Sequence, residues 1–390
     1  MTPAARVQSA IELLDLIIAA ARGQGASADR IVAQWFKSRR YMGSGDRRAV
    51  RELVYGAIRV CGEIPPSGRA AMLRLGECDP AIVPLFDGSP HGPQPLMPGE
   101  AVASGGIAPL WLEAKLAQSG IAGDEAAALL GRAPLDVRIN ILKAGPGELP
   151  LAGDGTQAPN ALRFPSGTPV EQWDAFKAGH IEVQDTGSQL CCLAVAMQPG
   201  ETVLDLCAGA GGKTLALAAD MDNKGRLIAV DTDRGRLSRL APRAARAGAI
   251  NIETRLLGPG REAEALADLA GKCDAVLVDA PCSGTGTWRR NPEARWRLSG
   301  AELGRLTALQ ARLLDLAATL VRPGGRMIYV TCSLLDEEGA DQAEAFIGRH
   351  PDWRALRPEL PAGTARGDGL RLTPAQDHTD GFFIARFGSP

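Results

Sequence analysis

Apolar positions recur every three to four residues at the start of the chain, where Val7, Ile11, Leu14 and Ile18 share one side of "MTPAARVQSAIELLDLIIAAARGQ". That spacing predicts an amphipathic helix. Glu12 and Asp15 interrupt any signal-peptide apolar core. Helical patterning without strand signals continues to about residue 75, so residues 1–78 are expected to form an all-α domain. The pattern stops in "DPAIVPLFDGSPHGPQPLMPGEAVASGGIAP" (79–109), where frequent proline and glycine exclude regular structure and mark a linker. Residues 110–180 mix helical stretches with a strand signal in "LDVRINIL" (135–142) and read as a small α+β module.

From 181 to 390 the pattern changes again. The apolar runs "TVLDLCA", "RLIAVD", "CDAVLVDA" and "RMIYVTC" alternate with longer helical stretches. Such runs are the mark of strands buried on both faces of a parallel sheet. The fold class is therefore α/β, a doubly wound, Rossmann-like core. Before the last run, Ser299 and Glu302 form a capping box. Leu306, Leu309, Leu313, Leu316 and Leu320 then follow on one stripe up to Pro-Gly-Gly, which predicts a helix covering the sheet.

Composition changes this picture little. Forty-three basic and forty-five acidic residues give a net charge of −2, so any nucleic-acid contact must come from local patches. The strongest patch lies in 36–59, where Lys37, Arg39, Arg40, Arg47, Arg48, Arg51 and Arg59 outnumber Asp46 and Glu52, with Tyr41 and Tyr55 nearby. It reads equally as an RNA contact and as a solvated helix face. The eight cysteines show no C-x-x-C pair and the histidines number four. Neither a metal site nor a disulfide framework is expected, and a reducing cytoplasm suits the chain. No stretch approaches the ~18 consecutive apolar residues of a membrane span.

"LDLCAGAGGKT" (204–214) runs from a strand through glycines into a helix, the place where open α/β sheets bind ligands. The turn Cys207, Ala208, Gly209, Ala210, Gly211, Gly212 and Lys213 lacks the third glycine of a dinucleotide fingerprint, because position 214 is Thr. The next apolar run ends in Asp231, an acid placed to accept ribose hydroxyls. Glycines for close approach and a ribose acid, without a phosphate cradle, fit S-adenosyl-L-methionine better than NAD. The two remaining runs bring Asp279, Cys282 and Cys332 to the same sheet edge, whereas Cys191, Cys192 and Cys273 read as small apolar filler.

Taken together, "DLCAGAGGKT", "VDAPCSGTG…RRNP", "VTCSLLDEE" and "DGFFIARF", with "PLDVRINILK" and "VQDTGSQL" before them, resemble the RsmB-type/Nop/NSun family of RNA 5-methylcytosine methyltransferases. The helical N-terminus more loosely resembles a NusB-like RNA-binding domain. The resemblance implies a methyltransferase core that uses S-adenosyl-L-methionine on RNA, with ribosomal RNA as the partner. It makes Cys332 the nucleophile and Cys282 the residue that assists release. Asp279 would hold the edge of the base, with a part in the cofactor site, and Lys213 would orient the base.

Two departures stand out: "NIETRLLGPG" (251–260) has no Asp after the third strand, and the turn reads A-G-A-G-G-K where the family has A-A-P-G-G-K. The first predicts weaker cofactor affinity. Arg289, Arg290, Arg295 and Arg297, with Trp288 and Trp296, could grip phosphates and stack bases or could pair with the adjoining helix. The arginines at 234, 236, 239, 243 and 246 are expected to face solvent. A DNA cytosine or RNA adenine methyltransferase is disfavoured by Thr331-Cys332-Ser333 and by the lack of an Asn/Asp-Pro-Pro-Tyr tetrad. A non-catalytic RNA-binding adaptor has the missing third-strand acid in its favour.

Overall fold

A computed structural model describes residues 1–390 apart from 24, 144 and 146. The chain divides into two units, one made of residues 1–131 with 287–299, the other of 132–286 with 300–390.

The first unit is helical: α1 (Pro3–Arg22), α2 (Ala28–Ser38), α3 (Ser44–Val60), α4 (Gly68–Cys78), α5 (Leu110–Gln118) and α6 (Asp124–Ala128). Thr2 starts α1 by accepting the Ala5 N–H at 3.2 Å, with Pro3 in the first turn, where its missing N–H costs nothing. Val7, Ile11, Leu14 and Ile18 all point into the core with Val54, Ile58 and Met72. The proline-rich stretch 79–109 differs from a bare linker. It forms a 3₁₀ helix at Pro80–Leu85, capped by Asp79 on the Ala81 N–H, and it buries Ile82, Phe86 and Ala103 in the same core. Proline at the first position of a short helix is compatible with its geometry.

The second unit carries two sheets. Strands β1 (Leu135–Ile139), β2 (Asp154–Gly155), β3 (Ala161–Phe164) and β4 (Ile181–Val183) form a small antiparallel sheet in the order β2-β3-β1-β4. The stretch 110–180 is therefore divided, its helices α5 and α6 belonging to the first unit and its strands to the second.

The main sheet contains β5 (Thr202–Asp205), β6 (Arg226–Asp231), β7 (Ile252–Leu256), β8 (Cys273–Asp279), β9 (Val321–Thr331), β10 (Arg354–Leu356), β11 (Thr364–Arg366), β12 (Gly369–Leu372) and β13 (Phe382–Gly388). Its order is β11-β12-β13-β9-β8-β5-β6-β7, with β10 paired to β13. The strands from β7 to β9 run parallel, and β13 joins antiparallel to β9 with β12 and β11 beyond it. Leaving β5, the chain turns to β6 on one side and later returns to β8 on the other. This reversal opens a crevice at the C-terminal strand ends.

Helices α7 (Asp174–Lys177), α8 (Thr186–Leu193), α9 (Gly212–Asp220), α10 (Arg234–Leu237), α11 (Leu240–Ala247), α12 (Glu262–Ala265), α13 (Gly300–Leu320) and α14 (Ala340–Arg349) complete the unit. The leucine stripe of α13 lies on the sheet as its spacing predicts, with Leu306, Leu313 and Leu320 buried. The helix ends at Leu320, ahead of Pro-Gly-Gly; those three residues fall inside β9 as an irregularity that shifts its register against β8. No helix among the described residues is long and apolar enough to cross a membrane.

Candidate active site

The parallel strands β5, β6, β8 and β9 all end at one edge of the sheet, so chain direction alone brings together the glycine turn, Asp231, Asp279 and Cys332. After β5 the backbone passes through Gly209 and Gly211 at φ of +56° and +84° before entering α9. A side chain at 211 would drive its Cβ to 2.1 Å from Leu240, so only glycine fits there. Asp231, at the end of β6, receives the Gly209 N–H on Oδ2 at 2.8 Å and the Asp233 N–H on Oδ1 at 2.7 Å. Its carboxylate is thus oriented by the turn it faces. Arg236 stands 3.8 Å away.

Lys213, in the first turn of α9, reaches Asp279 at the end of β8, with Nζ donating to Oδ2 at 2.7 Å. Burial alone would lower the lysine's pKa, but the Asp279 carboxylate outweighs it and holds the ammonium protonated above the usual range. Cys207 sits in the turn with its thiol pushed well up by burial, while Ala208 is buried, and Gly209, Ala210 and Gly212 are half-buried.

The sulfurs of Cys282 and Cys332 lie 3.4 Å apart. Cys282 follows β8 and Cys332 follows β9, and these two strands are neighbours. The hydrogen bond to Cys332, then burial, then the nearby Glu338 carboxylate raise the Cys282 pKa well above the ordinary thiol value. Cys282 is therefore a thiol at neutral pH. The loop that carries it is tied down at several points. The Gly286 N–H donates to the Cys332 carbonyl at 3.0 Å, and the Gly286 carbonyl accepts the Gly381 N–H at 2.8 Å. The two backbones are so close that a Cβ at Gly286 would meet the Gly381 oxygen at 2.2 Å. Motifs far apart in sequence, "CSGTG", "TCS" and "DGFF", thus close on one another.

Comparison with known proteins decides what this geometry belongs to. Residues 192–388, half of the chain, match the family model described as 16S rRNA methyltransferase RsmB/F. The chain belongs to this family. The ribosomal RNA small subunit methyltransferase B of Salmonella typhi is 39% identical over 233 residues, 58% of this chain and 51% of that relative. The Salmonella newport enzyme of the same name is 38% identical over 231 residues. The chain spans about half the length of the curated relatives it matches. Among solved structures, PH0851 superposes with a TM-score of 0.77 over 99% of both chains at 23% identity, a likeness of fold. The methyltransferase homolog protein from Pyrococcus horikoshii matches 72% of this chain and 99% of its own, at 26% identity and a TM-score of 0.60. NSun6 from the same organism, solved with SFG, has a TM-score of 0.61 at 19% identity and covers 71% of this chain and 97% of its own.

Within this RsmB/F core, two readings of arginine-rich segments need correction. Trp288 and Trp296 are buried and cannot stack on bases. Arg295 is 0% exposed and gives its guanidinium to the carbonyls of Pro292, Ile58 and Cys61, the last two at 2.7 and 2.8 Å. Arg297 caps the carbonyls of Gly25 and Ala26 at 2.9 and 2.7 Å. This segment completes the helical unit, and those two arginines are committed to backbone.

Nor do all the arginines after Asp231 face solvent. Arg243 and Arg246 both pair with the buried Glu182 of β4, and Arg243 also donates to the Ala210 carbonyl at 2.6 Å, bracing the glycine turn from behind. The basic patch of 36–59 is partly spoken for as well. Arg39 lies over the Trp35 ring at 3.8 Å and Arg47 donates to the Met42 carbonyl at 2.9 Å, whereas Lys37, Arg40, Arg48 and Arg51 are exposed, as is Tyr41. Two site residues went unread in the sequence, Glu338 and Gln310. Glu338 closes the motif "VTCSLLDEE" without a role read for it, and it is buried.

Proposed function

We propose that this chain methylates C5 of a cytosine in ribosomal RNA, using S-adenosyl-L-methionine, with Cys332 adding to C6 and Cys282 assisting release. The observation that carries the reading is the pair of sulfurs 3.4 Å apart beside a glycine turn and a ribose-type acid. One thiol would make a simple nucleophile; two in contact suit a reaction in which a bond to sulfur must be made and later broken.

The residues present fit the cofactor. A Cβ built on Gly209 or Gly212 meets nothing within 4 Å, so open space flanks the turn, and Asp231 is held by the Gly209 and Asp233 N–H groups with its carboxylate at that space. Asp231 would accept the ribose hydroxyls and the turn would approach the methionyl part. The bound cofactor supplies an electrophilic methyl group.

The protein's own residues then act on the base. The Cys332 thiolate adds to C6, which makes C5 nucleophilic. Asp279, oriented by Lys213, holds the polar edge of the cytosine. After methyl transfer C5 sheds its proton, the electron pair of that C–H bond restores the ring double bond, and the C6–S bond breaks with its own electrons leaving on sulfur. The departing Cys332 sulfur takes a proton from the adjacent Cys282 thiol, and the thiolate left at 282 accepts the proton that C5 loses, so both transfers balance. A base inside a duplex cannot reach such a site, so the target is unpaired or flipped out.

The test uses purified protein, labelled cofactor and small-subunit ribosomal RNA. Cys332→Ala should abolish methylation and leave no RNA attached. Cys282→Ala should methylate once and stall, leaving a protein–RNA band that survives a denaturing gel and is faint in wild type. A band in Cys332→Ala that vanishes in Cys282→Ala would reverse the roles; activity in both would remove the thiol mechanism.

A further inference from the structure

Both neighbours of Cys282 in the chain are held by a single buried pair. The Glu338 carboxylate accepts the Ser283 N–H on Oε1 at 2.8 Å and the Ser283 hydroxyl on Oε2. Gln310 of α13 donates from Nε2 to the Pro281 carbonyl at 2.9 Å and to Glu338 Oε1 at 3.0 Å. The amide orientation follows from these acceptors, since the reverse would set oxygen against oxygen. Residues 281 and 283 are thereby fixed on either side of the thiol. Glu338 is itself anchored to the strand that delivers Cys332: its carbonyl accepts the Tyr329 hydroxyl at 2.7 Å and the Thr331 hydroxyl at 3.3 Å. The side chains of Glu338 and Gln310 are both 0% exposed. A carboxylate out of water costs several kcal/mol unless fully hydrogen-bonded, so its place in this fold calls for a role.

We propose that Glu338 is a positioning residue that clamps the Pro-Cys loop to the Cys332 strand, keeping the Cys282 sulfur in reach of the Cys332 sulfur for the release step. The proposal rests on the function argued above. It separates the two thiol steps: attack by Cys332 does not need the clamp, and departure through Cys282 does. The carboxylate beside Cys282 also favours the protonated thiol, which is the form that can give a proton to the leaving sulfur.

The experiment is the denaturing-gel assay with Glu338→Ala, Glu338→Gln and Gln310→Met in the full chain. Glu338→Ala should retain first-turnover methylation, lose multiple turnover about tenfold or more, and accumulate the covalent band about fivefold over wild type. A merely unfolded variant would lose the band and the methylation together. Glu338→Gln keeps an acceptor for the Ser283 N–H and should stay within about twofold of wild type, rescuing release. If Glu338→Ala fails to fold, Gln310→Met, which frees the Pro281 side of the clamp, carries the test and should raise the band about threefold.

Wild-type turnover and band in the folded variant overturn the role of Glu338, as does a band in Glu338→Gln equal to that in Glu338→Ala. A wild type that makes no 5-methylcytosine in the RNA overturns the function itself, and the clamp with it, so the two failures are told apart by the control.

Discussion

The Asp205 carboxyl sits at the end of β5, 0% exposed, with the Thr214 hydroxyl donating to Oδ2 at 2.6 Å and no partner for Oδ1 among the described residues. Burial pushes its pKa up to about 7, against the one donated hydrogen bond. The folded chain then holds a proton that the unfolded chain releases near pH 4, so stability is fully present at low pH and falls as pH rises toward 7. Asp220, pushed up to about 6 by burial, acts in the same direction. Asp205→Asn keeps an acceptor for Thr214 and has no charge to bury. Its urea midpoint, measured without ligand, should decline less between pH 5 and pH 8 than that of wild type, by about 1–3 kcal/mol in unfolding free energy. Parallel pH profiles would refute this.

Legibility at this scale divides by kind of residue. Cys282, Cys332, Asp231, Asp279 and Lys213 are legible because each ends a strand or opens a turn, where chain direction forces side chains together. Glu338, Gln310 and Asp205 are not, because an acid or amide in a strand or helix pattern looks alike whether its side chain is wet or buried.

At the scale of elements, Asp136 of β1 shows how the small sheet is locked to α8. Its carboxylate accepts from Nε and Nη2 of Arg163 in β3, each at 2.7 Å, and from the N–H and hydroxyl of Thr186 at 3.0 and 2.7 Å. The Asp136 side chain is fully buried while that of Arg163 is 21% exposed. Removing Asp136 takes from Arg163 its carboxylate and from the buried Thr186 the acceptor of its N–H, so Asp136→Ala should cost about 3–5 kcal/mol by denaturant titration. Arg163→Ala should cost less, since water can replace part of what Arg163 gives Asp136. The reverse order would show that the aspartate is not the hub.

The sequence pointed to "PLDVRINILK" and "VQDTGSQL" as related motifs without saying why they belong together; Asp136 and Thr186 supply the reason. The arginines of 287–299 could not be assigned from sequence, because a guanidinium serves phosphate and carbonyl equally well. Burial of Arg295 and Trp296, and the bonds of Arg297, decide for carbonyls at those two arginines.

For the molecule as a whole, alternation of apolar runs with helical stretches foretold a parallel core with a helical region before it, because a buried strand and an amphipathic helix leave different periods in the sequence. What periodicity could not foretell is membership. A stretch such as 79–109 carries no period, yet it packs on helices before it. A stretch such as 287–299 leaves its neighbours in sequence and joins a distant core.

That excursion sets an order of events during synthesis. Residues 1–131 of the helical unit are made before 287–299, but Trp296 and the Arg295 bonds to Ile58 and Cys61 belong to its finished interior. About 155 residues separate Gly131 from Thr287, which at roughly 5–20 residues per second is a wait of roughly 8–30 s. Nascent chains halted before Thr287 should be cut within residues 1–131 at a protease dose that the released protein withstands; equal protection would show that the unit closes without its last segment. Until then the helices made before it stand open on the ribosome, dependent on a stretch of message not yet read.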